Sequence, residues 1–334
     1  MQAWRVHDNG EPGEVMRLDE VPDPVAGPGE LLVRVRAVNV NFPDALLCRG
    51  QYQVRPPLPF TPGVELCGEV VSVGEGAEGE VGARIIATPT LPSGGFAELV
   101  AVNAATALPA PDALDDAEAA ALHIGYQTGW FGLHRRARLQ SGETLLVHAA
   151  AGGVGSAAVQ LGKAAGARVI GVVGGADKAQ VARELGCDLV LDRRTDDIVA
   201  AVKEATGGRG ADVIYDPVGG DAFAKSVKCV AFEGRIVVVG FASGVVPQAA
   251  LNHALVKNYA ILGLHWGLYN THDPAAIRAC HDELTKLAAQ GTVKPLVSER
   301  VPLQGAAGAV QRVADGITTG RVVVVPEPVA GGAR

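Results

Sequence analysis

The sequence predicts an α/β protein in which a doubly wound, six-stranded parallel sheet accompanies a smaller β-rich domain. Three observations carry this. Residues 1–120 hold short strand-like runs punctuated by Gly and Pro; residues from about 125 to 264 alternate apolar runs with helix-like segments; and the segment after 265 is too short to stand alone. A length of 334 residues fits two domains at roughly 100–200 residues each.

Taking the elements in order, ELLVRVRAV (30–38) alternates apolar and polar residues, the pattern of a half-buried strand. GEVVSVG, ARIIATP and GGFAELVAV follow and suggest a curled antiparallel sheet or partial barrel. PDALDDAEAAAL (111–122) reads as a helix with Asp enriched near its start. Six apolar runs come next: TLLVHA, ARVIGVVG, DLVLD, ADVIYD, GRIVVVGF and YAILGL. They are joined by helical segments VGSAAVQLGKAAG, ADKAQVARELG, DDIVAAVKEATG and DAFAKSVKCVAF. Near-continuous apolar strands joined by helices describe a parallel sheet covered on both faces. PAAIRACHDELTKLAAQG then has helical apolar spacing, followed by a strand SERVPL, a helix AAGAVQRVADG and a strand RVVVVP. This tail is expected to return to the N-terminal domain from residue 265, with VAGGAR loose at the end.

Composition narrows the function classes. A hydrophobic share of 48% against 19% charged residues supports a sizeable core. The net charge of −7 argues against a phosphate-backbone partner. The one basic run, His134-Arg135-Arg136-Ala137-Arg138, reads as a solvated helix end. No run of about 18 apolar residues predicts a transmembrane helix, and the N-terminus lacks an apolar signal-peptide core, so a cytoplasmic address is expected. Cys48, Cys67, Cys187, Cys229 and Cys280 are scattered and form no CxxC pair, which reads as free thiols.

The strongest motif is TLLVHAAAGGVGSAAVQLGKAAGA. A strand runs into Ala150-Ala151-Gly152-Gly153-Val154-Gly155 and a helix opens there, which is the dinucleotide fingerprint with Ala in its first position. Small residues let the backbone approach a pyrophosphate, and the helix N-terminus supplies free N–H groups. The next strand ends in Gly174-Gly175, where NAD-binding domains place an acidic residue for the ribose hydroxyls. With Lys178 and Arg193-Arg194 near the same ribose, this predicts NADPH over NADH. The plain alternative for the three cations is ordinary surface charge.

With VNVNFPDALLCRGQY, PFTPGVELCGEVVSVG, HAAAGGVG, DPVGGDAF, GRIVVVGFASG and LVKNYAILGLHWG in this order, the chain resembles the zinc-free quinone oxidoreductases of the medium-chain dehydrogenase/reductase superfamily. The resemblance covers nearly the whole chain. It implies a GroES-like catalytic domain from residues 1–123 and 265–334, a Rossmann NADPH-binding domain at 124–264, an active site in the cleft, and a homodimer formed by edge pairing of YAILGL (259–264). Zinc-dependent members carry Cys at the position of Asn41, Gly-His-Glu at Gly63-Val64-Glu65, and a third ligand near Ile124; Asn, Val and Ile are not zinc ligands, so no metal is expected. His123 lies nearby, and a lone histidine is more often a packed or capping residue.

The resemblance further implies that Asn41, Tyr52 and Thr128 line the site near the nicotinamide, as neutral hydrogen-bonding groups. Asn41 and Tyr52 would donate to a carbonyl oxygen, and Thr128 would hold the nicotinamide amide. Phe241, within GRIVVVGFASG, is expected beside the cofactor. A further Tyr common in the family is Leu46 here. Plainer roles stay open: Asn41 as the turn before helix 42–48, Thr128 bonding its own backbone, Tyr52 as packing, Asp44 as a cap. Hydride transfer to a quinone or enone makes a delocalised oxyanion that a few neutral donors can stabilise. The implied activity is therefore NADPH-dependent quinone reduction, with double-bond reduction of an enone or acyl thioester as the enzymatic alternative. A structural or RNA-binding NADPH protein is the non-enzymatic one, disfavoured by the acidic charge.

Overall fold

Thr144–His148 and Ala211–Asp216 are buried at every position, which a strand can be only when both faces of its sheet are covered. These two strands lie side by side at the centre of a six-stranded sheet in the computed structural model, which describes residues 1–326. Outward from Thr144–His148 come Arg168–Val173 and Leu189–Asp192; outward from Ala211–Asp216 come Val230–Val238 and Ala260–Gly263. Every pairing is parallel. The strand order reverses between Thr144–His148 and Ala211–Asp216, and the carboxyl end of that switch point is where open α/β sheets bind ligands. Leu146, Ile170, Ile214, Ile236, Val202 and Phe223 form the core beneath it.

In the second unit, two boundaries differ from those read in the sequence. The helix expected over DAFAKSVKCVAF stops at Cys229, and Val230 already pairs with Ala211. A register shift follows, with Glu233 at φ 56°, so the strand bulges ahead of the GRIVVV run that marked it in the sequence. The return to the first domain falls later than residue 265. Two compact units divide the chain, one of Met1–His123 with the chain from Lys294 onward, the other of Ile124–Val293. Residues 265–293 stay with the sheet because helix Pro274–Ala289 buries Ile277, Cys280, Leu284 and Ala288 along one face, and Gln127 bonds both Trp266 and the Ile277 carbonyl.

In the first unit the alternation of Glu30–Asn39 sends Leu31, Val33 and Val35 into a core shared with Val70, Phe96, Val100 and Val310. This strand pairs antiparallel with Leu66–Val73, Leu99–Asn103 and Arg321–Val324. The sheet order is Val297–Val301, Arg321–Val324, Glu30–Asn39, Leu66–Val73, Arg84–Ala87, Leu108–Pro109, and a separate pair joins Gln2–Val6 to Met16–Glu20. The helix expected over 111–122 shrinks to Asp116–Ala120. Asp115 is its N-cap, accepting from the Glu118 N–H at 2.8 Å while Glu118 accepts from the Asp115 N–H at 3.1 Å. The earlier Asp residue thus sits in the preceding turn, because the reciprocal pair fixes where the helix begins. Among the described residues no helix is long and apolar enough to cross a membrane. The expected loose end VAGGAR lies outside the described residues.

Candidate active site

In the second unit, helix Gly153–Ala164 opens at Gly152 with no side chain capping it. Its first-turn N–H groups therefore point out at the carboxyl edge of the sheet, with the positive end of the helix dipole behind them. The turn is held by Gly152 N–H donating to Ala149 O at 2.8 Å. Ala149 takes a left-handed φ of 52°, a position the sequence reading did not single out because nothing in its residue type signals it. Gly155 is required by close approach: a Cβ there would stand 2.0 Å from Ala149 O. Ala150 is fully buried between loop and sheet, and Gly153 and Val154 form the first helical turn. A pyrophosphate fits this cradle.

The second strand of the sheet ends at Gly174-Gly175, and two arginines lie over it. A Cβ on Gly174 would meet Arg193 Nε at 3.0 Å, and one on Gly175 would meet Arg194 Nη1 at 2.9 Å. Burial pushes the Lys178 ammonium below its usual range, and the nearby charges of Arg193 and Arg194 push it further. Three cations thus converge on a glycine pair that leaves space, a chemistry that suits a ribose 2′-phosphate. The sequence reading missed Asp192. Its Oδ1 accepts from the Gly175 and Arg194 N–H groups at 3.0 Å each, so this carboxylate fixes the loop carrying Arg193 and Arg194. Phe241 is exposed, with its ring edge 2.9 Å from where a Cβ on Gly219 would stand.

In the first unit, Asn41 precedes helix Phe42–Cys48 and is 4% exposed. Its backbone N–H donates to Asp44 Oδ2 at 2.8 Å, so Asp44 does cap this helix. The Asn41 side chain turns elsewhere. Its Nδ2 donates to Glu65 Oε2 at 2.9 Å and to Asn39 O at 3.3 Å, and its Oδ1 accepts from Arg321 Nη1 at 3.1 Å. Glu65 also accepts from Asn39 Nδ2 at 2.8 Å. Asn41 is therefore more than a turn residue: it belongs to a buried polar network whose arginine arrives from the chain's C-terminal strand. Arg321 was legible only as the first residue of an apolar strand.

Asp44 also accepts from the Gly63 N–H at 2.9 Å. Burial pushes its carboxyl up to about 7, against the opposing pull of the Asn41, Gly63 and Val64 N–H groups. Tyr52 packs partly buried on the same core, and its phenol is raised by burial and by the charge of Asp44. No hydrogen bond of the Tyr52 hydroxyl is present among the described residues. Leu46, where the family often has a second phenol, lies within helix Phe42–Cys48 and offers no donor.

Thr128 lies in the second unit, buried on helix His123–Trp130. At the positions of the superfamily's zinc ligands, Asn41 has its amide bonded to Glu65 and Arg321, and Val64 and Ile124 carry no donor atoms. These residues do not fit a catalytic zinc, which needs three thiolate, imidazole or carboxylate ligands. Among the described residues no group of three or more His, Cys, Asp or Glu side chains is placed to hold a metal ion.

The family model of the alcohol dehydrogenase GroES-like domain matches residues 27–112, and that of zinc-binding dehydrogenases matches residues 153–282. A quinone oxidoreductase-like protein 2 homolog of Nematostella vectensis is 39% identical over 301 residues, which is 89% of this chain and 82% of that one. A probable oxidoreductase from Mycobacterium abscessus superposes with a TM-score of 0.89 at 39% identity, covering 98% of this chain and 99% of that one. The Escherichia coli quinone oxidoreductase complexed with NADPH superposes with a TM-score of 0.91 at 31% identity, covering 98% and 100%. The paired domains define an oxidoreductase of the medium-chain class, and the chain belongs to the quinone oxidoreductase-like members of the medium-chain dehydrogenase/reductase family.

Proposed function

We propose that the chain is an NADPH-dependent, zinc-independent quinone reductase. The observation that carries the cofactor half is the convergence of Lys178, Arg193 and Arg194 on Gly174-Gly175, beside the uncapped N-terminus of helix Gly153–Ala164. That NADPH is the cofactor in the complex of the similar Escherichia coli quinone oxidoreductase supports the same reading. Bound there, NADPH supplies a hydride. Ala150, Gly152, Gly153, Val154 and Gly155 admit the pyrophosphate, and Phe241 borders the cofactor.

The chemistry asked of the remaining residues is modest. The Thr128 hydroxyl orients the nicotinamide carboxamide. Tyr52 donates its phenolic proton in a hydrogen bond to the acceptor's carbonyl oxygen, where negative charge develops. Asn41 adds a second donor by giving up its long 3.3 Å bond to Asn39 O, while Glu65 and Arg321 keep the amide oriented. Neutral donors suffice because the charge on a reduced quinone is delocalised.

Two further readings go with this. Ala260–Gly263 ends the six-stranded sheet, and Leu251, Leu255 and Val256 are exposed on the helix just before it; we propose a homodimer through that edge. The five cysteines are free, which suits the reducing cytoplasm.

The test is a fluorescence titration with NADPH and NADH, followed by addition of a quinone or an enone to the loaded enzyme. Tighter NADPH binding with oxidation by the quinone is expected. Equal affinity for both cofactors overturns the cofactor assignment, and oxidation by the enone alone moves the activity to alkene reduction.

A further inference from the structure

The helix that carries Thr128 is sewn to a loop at the ligand edge of the sheet. All six strands run parallel, so their carboxyl ends share one edge, and residues 264–273 leave the last strand at the same edge as the phosphate loop. Helix His123–Trp130 runs on into a π-helical turn, Phe131–Arg136, an uncommon geometry that tends to mark functional places. Two bonds from this segment reach residues 264–273, and two more reach the residues that flank them. Gln127 Oε1 accepts from Trp266 Nε1 at 3.1 Å, and Gln127 Nε2 donates to Ile277 O at 3.2 Å. Arg136 Nε donates to Gly263 O at 3.1 Å. Arg135 pairs with Asp273 at 2.8 Å. Arg135 also lies over the Tyr269 ring, 5.0 Å from its centroid, and the Tyr269 and Phe131 rings pack with centroids 4.2 Å apart and planes tilted by 40°. Within the basic run that the sequence offered only as a solvated helix end, Arg135 thus binds this loop and Arg136 the strand leading into it.

We propose that Arg135 and Gln127 are positioning residues that hold residues 264–273 as a fixed wall at the ligand edge, and so set which acceptors are reduced. Leu268 of this wall is exposed, while Trp266 is held by Gln127 and Tyr269 by Arg135. Large planar quinones demand the most of such a wall, because they lose the most contact when it moves. This selectivity rests on the quinone reductase reading; the latch itself does not.

The variants are Arg135→Ala, Arg135→Lys and Asp273→Asn. The last keeps an oxygen for the Ala276 N–H that Asp273 caps at 3.2 Å, so the following helix is spared. Amide exchange over 264–273, NADPH affinity, and KM and kcat for a one-ring and a three-ring quinone are measured on each. Losing an ion pair and a cation–ring contact is expected to speed exchange over 264–273 about fivefold, and to raise KM for the three-ring quinone by about as much. The one-ring KM, kcat and NADPH affinity stay within twofold, and Arg135→Lys falls between. Unchanged exchange overturns the latch. Faster exchange with neither KM moved overturns the role in selectivity. A wild-type enzyme that oxidises NADPH with neither quinone nor enone instead removes the proposed function, together with the selectivity claim, while exchange still decides the latch.

Discussion

Single residues decide the cofactor site through the space they leave. Gly155 admits no side chain, since even one carbon would press on Ala149 O. Gly155→Ala is expected to push the phosphate loop open and weaken NADPH binding at least about tenfold, read by nicotinamide fluorescence. At Gly174 the nearest atoms to an added Cβ belong to the flexible Arg193 side chain. Gly174→Asp is expected to pair with Arg193, repel a 2′-phosphate, and lower the NADPH-over-NADH preference by about tenfold. Asp44 makes a pH prediction. Its folded-state value is raised from 3.8 to about 7 by burial, so between those values the folded state holds a proton that the unfolded chain releases. Stability from this group is complete below the ordinary aspartate range and is lost as pH rises through about 7. In Asp44→Asn this slope disappears, whatever the variant's absolute stability. Denaturant unfolding of both proteins across that window checks it; parallel stability curves would show that Asp44 is ionised throughout.

At the scale of elements, capping and packing override the raw pattern. The run over 111–122 turns Ala-rich toward its end, and the helix starts only after Asp115, because the reciprocal bonds between Asp115 and Glu118 satisfy the first free N–H groups there. Asp115→Ala is expected to cost about 1 kcal/mol and to lower Tm by a few degrees in a scanning melt. Removing the side chain also frees Arg300, its ion-pair partner, which is exposed enough that the pair itself adds little. The amphipathic helix Pro274–Ala289 was legible as a helix from its spacing. What its apolar stripe meets was not, since a 3.6-residue period states that a face is buried and says nothing about the partner.

At the scale of the whole molecule, segments far apart along the chain meet in one sheet: Arg321–Val324 pairs with Glu30–Asn39, and Arg321 reaches Asn41. The polar network around Asn41 therefore depends on the C-terminal strand being in place. The second assembly question is the exposed end of the parallel sheet. Sedimentation is expected to show a dimer at micromolar concentration, and a charged residue at Leu255 should shift it toward monomer. A wild-type protein that sediments only as monomer removes the edge-pairing proposal.

The sequence by itself determined the α/β class, the six parallel strands, the dinucleotide loop and the absence of zinc-ligand residue types at Asn41, Val64 and Ile124. Each of these is written in local periodicity or in the identity of a few neighbouring residues. Only the tertiary structure decided where the second unit ends, that Asn41 is held by Glu65 and Arg321, that Asp192 orders the loop bearing the two arginines, and that Arg135 reaches Asp273 and Tyr269. These are contacts between residues far apart along the chain. Their partners are set by which faces the folded sheet brings together, and no local pattern encodes that choice.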